Sequence, residues 1–194
     1  GKEHTISKDL DLLVSQSLRC REILKKLSLN PNVEDKFIDA DIDLYGYINE
    51  IVRSYEEISN KNFYINNDNF NKSIKIKKSV EVIYGLRNFI GNANKYSRNK
   101  VEIFITSNNK FSNVLIKDDG PGFPKDLIDR DRLGEPYIRT VEQINIKKFG
   151  LGLGTFIGKT LLEKNFASIK FNNSSNSGAE VSIEWRNEDL EKIN

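Results

Sequence analysis

The sequence predicts an α+β fold: a two-layer α/β sandwich preceded by a helix that belongs to a separate bundle. Three observations carry the prediction. The opening stretch repeats apolar or small residues at alternating steps of four and three, the seam of a helical bundle or coiled coil. Behind it, short alternating strands are mixed with strongly helical runs, an order that fits a largely antiparallel sheet. A Gly-, Pro- and charge-rich stretch at about 120–150 is too long for an ordinary connection and is a candidate lid.

Each element follows in chain order. The first helix runs from about Ser7 to Ser28, with Ile6, Leu10, Leu13, Ser17, Cys20, Leu24 and Leu27 on its seam. Such a seam seeks another helix, and Pro31 among Asn residues ends it. This divides the chain into a bundle helix at 1–28, a linker at 29–35, a catalytic domain at 36–188 and a tail at 189–194. "KFIDADIDL" begins strand-like, and "LYGYINEIVRSYEEI" turns helical behind Asp43 as N-cap. "NFYINN" and "SIKIKK" alternate like short strands. A strong helix spans about Ser79 to Tyr96. "KVEIFITSN" and "FSNVLIKDD" are strands joined by "NNK", a helix follows from about Leu153 to Lys164, and "SIKFNN" and "AEVSIEW" close the domain as a hairpin around "SSNSG".

Composition narrows the function classes. Hydrophobic residues make up 38% and charged residues 30%, a soluble globular balance. Thirty basic against 28 acidic residues leave a net charge of +2, which gives no strong electrostatic case for nucleic acid or a membrane surface. One Cys excludes an internal disulfide framework. No apolar run approaches the roughly 20 residues of a membrane span, and no secretory signal is present. Gly1 and the absence of Met predict an excised piece of a longer protein.

Three motifs carry chemistry. In "LRNFIGNANKYS", Asn88 and Asn92 stand four apart on one helix face, with Lys95 on the same side. Amide oxygens ligate a hard cation such as Mg²⁺, Lys supplies a point charge for phosphate, and Tyr96 offers a flat face to a base or ribose. A bare Asn pair is usually an ordinary polar face, so alone it is a weak signal. In "DDGPGF", Asp118 ends an apolar strand. It can accept from an exocyclic amine and so select adenine, while Gly120 and Gly122 let the turn pass beneath the ring. A "DG" turn between strands is also common without a ligand. In "FGLGLGTFIGKTL", Gly150, Gly152 and Gly154 lead into a helix whose first amides can cradle phosphate, or they form a plain hinge. "GKT" at Gly158 to Thr160 lies inside the helix and is no P-loop. No βαβ unit surrounds the glycines, which removes the dinucleotide fingerprint.

In this order and spacing the three motifs resemble the N, G1 and G2 boxes of the GHKL superfamily, with the Bergerat ATP-binding fold, over roughly Phe37 to Trp185. Gly178 in "SGAEVSIEW" resembles its last glycine box. The resemblance implies an ATP site built from Asn88, Asn92, Lys95, Tyr96, Asp118, Gly120, Gly122, Gly150, Leu151, Gly152, Leu153, Gly154 and Thr155. It also implies Mg²⁺ held by Asn92 and Asn88, and a lid at about 123–149. Gyrase- and MutL-type ATPases place a Glu base where this chain has Asn88, and an amide cannot take a proton from water. The Asn88/Asn92 pair with "KYS" behind it is similar to histidine kinases.

Within those, "LVSQSLRCREILKKLS" and "RLGEPYIRT" resemble the RegB/PrrB redox-responsive kinases, the former as the second helix of a dimerization and phosphoacceptor hairpin. The expected function is therefore the ATP-binding catalytic domain of a sensor histidine kinase. It would transfer the γ-phosphoryl to a His on the dimerization domain for relay to a response regulator. The parent implied is a homodimer in the bacterial inner membrane with this domain in the cytoplasm, and no nucleic-acid partner. His4, the only His, lacks the acidic neighbour and nearby Pro of the phosphoacceptor box, so this chain is not expected to phosphorylate itself. A GHKL ATPase switch and a non-catalytic redox or dimerization module are the alternatives. Cys20, between Arg19 and Arg21, is either a small buried seam residue or, as the kinase resemblance implies, redox-active, its thiolate favoured by the arginines.

Overall fold

A computed structural model of the chain describes residues 42–68, 75–76, 79–129, 132–135, 153–175 and 177–193, all within the unit Asp39–Asn194. The expected bundle helix with His4 and Cys20, the linker, and Gly150, Leu151 and Gly152 lie outside the described residues.

The first described helix, α1 (Leu44–Glu56), starts where Asp43 Oδ1 accepts from the Gly46 amide at 2.8 Å, an N-cap that satisfies an otherwise orphan donor. It buries Leu44, Tyr47, Ile48, Ile51 and Val52 on one face. Strand β1 (Asn62–Asn67) precedes the long helix α2 (Val80–Tyr96), whose cap is Ser79, with Oγ accepting from the Val82 amide at 3.4 Å. Strands β2 (Lys100–Ser107) and β3 (Phe111–Asp118) form a hairpin. In its turn, Asn108 Oδ1 accepts from the Lys110 and Phe111 amides at 2.8 and 2.9 Å. A short helix α3 (Lys125–Asp129), helix α4 (Gly154–Lys164), strands β4 (Ser168–Asn173) and β5 (Ala179–Arg186), and helix α5 (Asn187–Leu190) complete the element order.

The five strands form one sheet in the order β1-β2-β3-β5-β4. β1 runs parallel to β2 with α2 as the crossover between them; the other pairs are antiparallel. Alternation decides the faces. Val101, Ile103 and Ile105 of β2, Val114 and Ile116 of β3, and Val181, Ile183 and Trp185 of β5 all point inward. The register sets Ile103 beside Ile116, Ile116 beside Val181, and Val114 beside Ile183, so the apolar side chains form a continuous layer under the helices. The opposite face carries Glu102, Lys117, Glu180 and Glu184, with a Lys117–Glu180 ion pair at 2.8 Å. This is the two-layer α/β sandwich. Among the described residues no helix is long and apolar enough to cross a membrane.

One expectation needs correction. Residues 189–194, read as a tail, carry Leu190 and Ile193 into the core, and Asp189 pairs with Arg186 and Lys192. Most of the strands expected at 36–44 and 73–78 lies outside the described residues; among those described, Ile42 and Ile76 form an antiparallel bridge. The candidate lid at about 123–149 begins with α3 and a turn at Arg132–Glu135, which bury Leu127 and Leu133; 130–131 and 136–149 lie outside the described residues.

Trp185 is fully buried, and its Nε1 donates to the Asn165 carbonyl at 3.0 Å. Trp185→Phe removes that bond and part of the ring volume, so stability should fall by about 1–4 kcal/mol. Urea unfolding of both proteins measures it; an unchanged midpoint would show that the indole does not hold β5 to the end of α4.

Candidate functional site

The site begins at the crossing of α2 and α4. Gly85 and Gly158 let the two helices approach: a Cβ on Gly158 would stand 3.1 Å from Asn88 Cβ and 3.3 Å from the Gly85 carbonyl oxygen, and one on Gly85 would stand 2.5 Å from Leu162 Cγ. That approach brings the first turn of α4 against the Asn face of α2. A Cβ at Gly154 would lie 3.4 Å from Asn88 Oδ1 and 3.6 Å from Asn92 Oδ1. Asn88 Nδ2 donates to the Tyr84 carbonyl at 2.8 Å. A carbonyl only accepts, so the bond fixes the amide's orientation and leaves its oxygen on the α4 side. Asn92 Nδ2 donates to Thr155 Oγ1 at 3.2 Å. Two amide oxygens therefore converge on a helix start at which Leu153 makes no side-chain cap. Hard oxygen donors beside first-turn amides suit a divalent cation and the phosphates it accompanies. A side chain at position 154 would take up that space.

Lys95 and Tyr96 lie in the last turn of α2. Lys95 Nζ sits 5.0 Å from the centroid of the Tyr96 ring, within cation–π range. Partial burial lowers the Lys95 pKa and raises that of Tyr96, because removal from water penalises each charged form.

At the end of β3, Asp118 Oδ1 accepts from the Gly120 amide at 2.8 Å and the Ala179 amide at 3.2 Å. Burial raises its pKa; the two amides oppose this, and neighbouring Asp119 adds to it. Gly178 reaches Asp118 from the β4–β5 turn with φ +104°, and a Cβ there would fall 1.8 Å from the Asp118 carbonyl oxygen. Gly120 presses on the end of α2, where its Cβ would meet the Tyr96 carbonyl oxygen at 2.4 Å. Gly122 has φ +81° and abuts the Asn173 side chain.

Two residues escaped sequence reasoning. Asn173, the last residue of β4, clasps the backbone of Phe123: Oδ1 accepts from the Phe123 amide at 2.6 Å and Nδ2 donates to its carbonyl at 2.8 Å. The Phe123 ring meets Phe171 edge-on at 5.6 Å, and Phe171 meets Phe89 of α2 at 5.9 Å. Nothing in an Asn-rich segment marks this Asn. Asp119 accepts from the amides of Arg98 at 2.7 Å, Asn99 at 3.0 Å and Lys100 at 3.3 Å. Burial is the largest single influence on it and raises its pKa, but the amides of Asn99, Lys100 and Arg98 together outweigh that, so the carboxyl lies below its ordinary value. The paired "DD" was the available signal, and it does not say which carboxylate turns inward.

The sequence pattern described as histidine kinase-, DNA gyrase B-, and HSP90-like ATPase matches residues 78–189. Sensor histidine kinase RegB of Cereibacter sphaeroides is 29% identical over 183 residues, covering 90% of this chain and 39% of that protein. Sensor histidine kinase CpxA of Escherichia coli strain K12 is 30% identical over 98 residues, 50% of this chain and 21% of that protein. The chain thus spans well under half the length of these relatives. Among solved structures, the nucleotide-free catalytic domain of histidine kinase ThkA matches with a TM-score of 0.63 at 22% identity, over 76% of this chain and 97% of that one. Full-length ShkA in complex with AMPPNP matches with a TM-score of 0.61 at 20% identity, over 75% of this chain and 30% of that one.

Proposed function

The chain belongs to the family of histidine kinase-, DNA gyrase B- and HSP90-like ATPases and is an ATP-binding catalytic domain of the sensor histidine kinase kind; from that premise we propose that it transfers the ATP γ-phosphoryl to a His on a separate helical domain. The observation that carries this is the convergence of Asn88 and Asn92 on the first turn of α4, with the strand-end carboxylate of Asp118 held by the Gly120 and Ala179 amides.

The division of work follows from the donors. Asp118 has one oxygen engaged by two backbone amides, and its other oxygen reads the exocyclic amine of adenine. Tyr96 flanks the base or sugar. Lys95, Gly154 and Thr155 serve the phosphates, and the same role is proposed for 150–153 from their glycine pattern. Asn92 and Asn88 hold Mg²⁺, which when bound neutralises phosphate charge. The amide of Asn88 cannot deprotonate water, so bound ATP is kept for an acceptor rather than hydrolysed. In the transfer, an imidazole nitrogen of the acceptor forms the P–N bond while the bond from the γ-phosphorus to the ADP oxygen breaks. This domain contributes orientation and charge stabilisation rather than a covalent step.

On this reading, residues 1–28 are the second helix of the acceptor hairpin in a homodimeric, membrane-anchored parent whose catalytic domain faces the cytoplasm. A response regulator receives the phosphoryl group, and Cys20 is a redox-responsive seam residue.

The deciding experiment supplies γ-labelled ATP and Mg²⁺ to the chain, with and without a separately prepared helical hairpin bearing the acceptor His. Label should appear on the hairpin, with little on the chain and little free phosphate. Free phosphate without label transfer would point to an ATPase instead. A second test isolates the metal: Asn92→Ala should weaken ATP binding about tenfold or more in excess Mg²⁺ and leave binding in chelator unchanged. Equal losses in both media would remove Asn92 from the metal.

A further inference from the structure

We propose that Asp119 is a positioning residue that sets the spacing between the base-reading end of the nucleotide site and its phosphate end. The inference rests on the nucleotide reading above and adds to it a residue that touches no part of the ligand.

The geometry is a long-range tie. The Asp119 carboxylate gathers the amides of Arg98, Asn99 and Lys100, 19 to 21 positions earlier in the chain. Arg98 and Asn99 lie in the turn through which α2 passes into β2, and Lys100 opens β2. One end of the tie therefore adjoins Asp118, and the other adjoins Lys95 and Tyr96. Beside the tie, Gly120 lies against the Tyr96 carbonyl, and Asp118 pairs with Val101 in the β2–β3 ladder. A steric stop limits approach but does not prevent separation, whereas a carboxylate held by three converging amides resists both. Arg98, Asn99 and Lys100 are exposed and Asp119 is half-buried, so the amides can turn to water when the carboxylate is removed, and the domain should still fold. The adjacent carboxylates have opposite surroundings. Asp118 is partly desolvated and faces the site, while Asp119 is stabilised as an anion by backbone donors.

A ligand that reaches Lys95 and the phosphate end feels the spacing in full; one held between Asp118 and Tyr96, where Gly120 already lies against the Tyr96 carbonyl, feels it least. The test measures competition of MgATP and of adenosine against a fluorescent ATP analogue, on wild type, Asp119→Ala and Asp119→Asn, with thermal unfolding of each unliganded protein alongside. Asp119→Ala should weaken MgATP about tenfold and adenosine less than about twofold. Asp119→Asn, which keeps one acceptor oxygen, should recover part of the MgATP loss. Equal losses for both ligands, or no loss for either, would overturn the positioning role. If Asp119→Ala does not fold, the same ratio read on Asp119→Asn decides. Failure of the wild type to bind MgATP would be a different result, bringing down the nucleotide reading itself.

Discussion

Asp118→Asn is expected to weaken ATP binding by about 1–3 kcal/mol, roughly 5- to 150-fold in Kd, through loss of a charge-assisted hydrogen bond to the adenine amine. The preference for ATP over ITP should shrink at the same time, because the new amide can donate to the hypoxanthine carbonyl. The same substitution should stabilise the unliganded domain at neutral pH. Burial raises the Asp118 pKa despite the amides of Gly120 and Ala179. A carboxyl whose pKa is raised on folding favours the fold in its protonated form. That contribution is complete below the unfolded pKa and is lost as pH rises through the folded one. At neutral pH the ionised Asp118 is therefore a net cost to the unliganded fold, and a neutral amide that still accepts from the two backbone amides removes it. Nucleotide affinity runs the other way: the wild type needs the carboxylate and should lose ATP as pH falls through the raised pKa, while the variant should show no such limb. Titration calorimetry across pH, paired with thermal unfolding, measures both. Unchanged ATP affinity would defeat the adenine assignment, and a less stable unliganded variant would show that the amides need the full negative charge.

Gly178→Val is expected to be the most damaging single change, costing on the order of 3–5 kcal/mol and abolishing measurable nucleotide binding. Two causes act together. The φ of +104° lies where side chains are strained, and any Cβ would be driven to 1.8 Å from the Asp118 carbonyl oxygen. Relief requires moving either the β4–β5 turn or the end of β3, and the Ala179 amide that holds Asp118 is the next residue. Loss of stability and loss of binding therefore share an origin. Gly178→Ala should show both in milder form. Urea unfolding combined with nucleotide titration checks this; a Gly178→Val protein of normal stability and affinity would mean that the turn is free to relax.

Much of the site was legible because its parts are local. Asn88 and Asn92 share a face by helical spacing, Asp118 ends an alternating strand, and Gly154 opens a helix; each needs only a few neighbouring residues to be read. The sandwich was legible for the same reason, since Val101, Ile103 and Ile105, or Val181, Ile183 and Trp185, announce a one-sided strand by alternation alone. Packing without a motif stayed hidden. Leu190 and Ile193 are two apolar residues in a charged terminus, and Leu127 and Leu133 sit in a Gly-, Pro- and charge-rich stretch, yet all four are buried.

By itself the sequence determined the element types, the order of the three boxes and the family they belong to, because helix period, strand alternation and motif spacing are properties of short windows. Tertiary structure alone decided which way each amide turns, which of two adjacent carboxylates faces the site, and why position 178 must be Gly. Asn88 is aimed by a helix-internal carbonyl but meets α4 only because Gly85 and Gly158 let the helices close. Asp118 and Asp119 are told apart by amides about 61 and 20 positions away. Such distances are set by the folded chain, and the free energy that selects them is the packing of the whole sheet and its helices rather than any preference of the residues themselves.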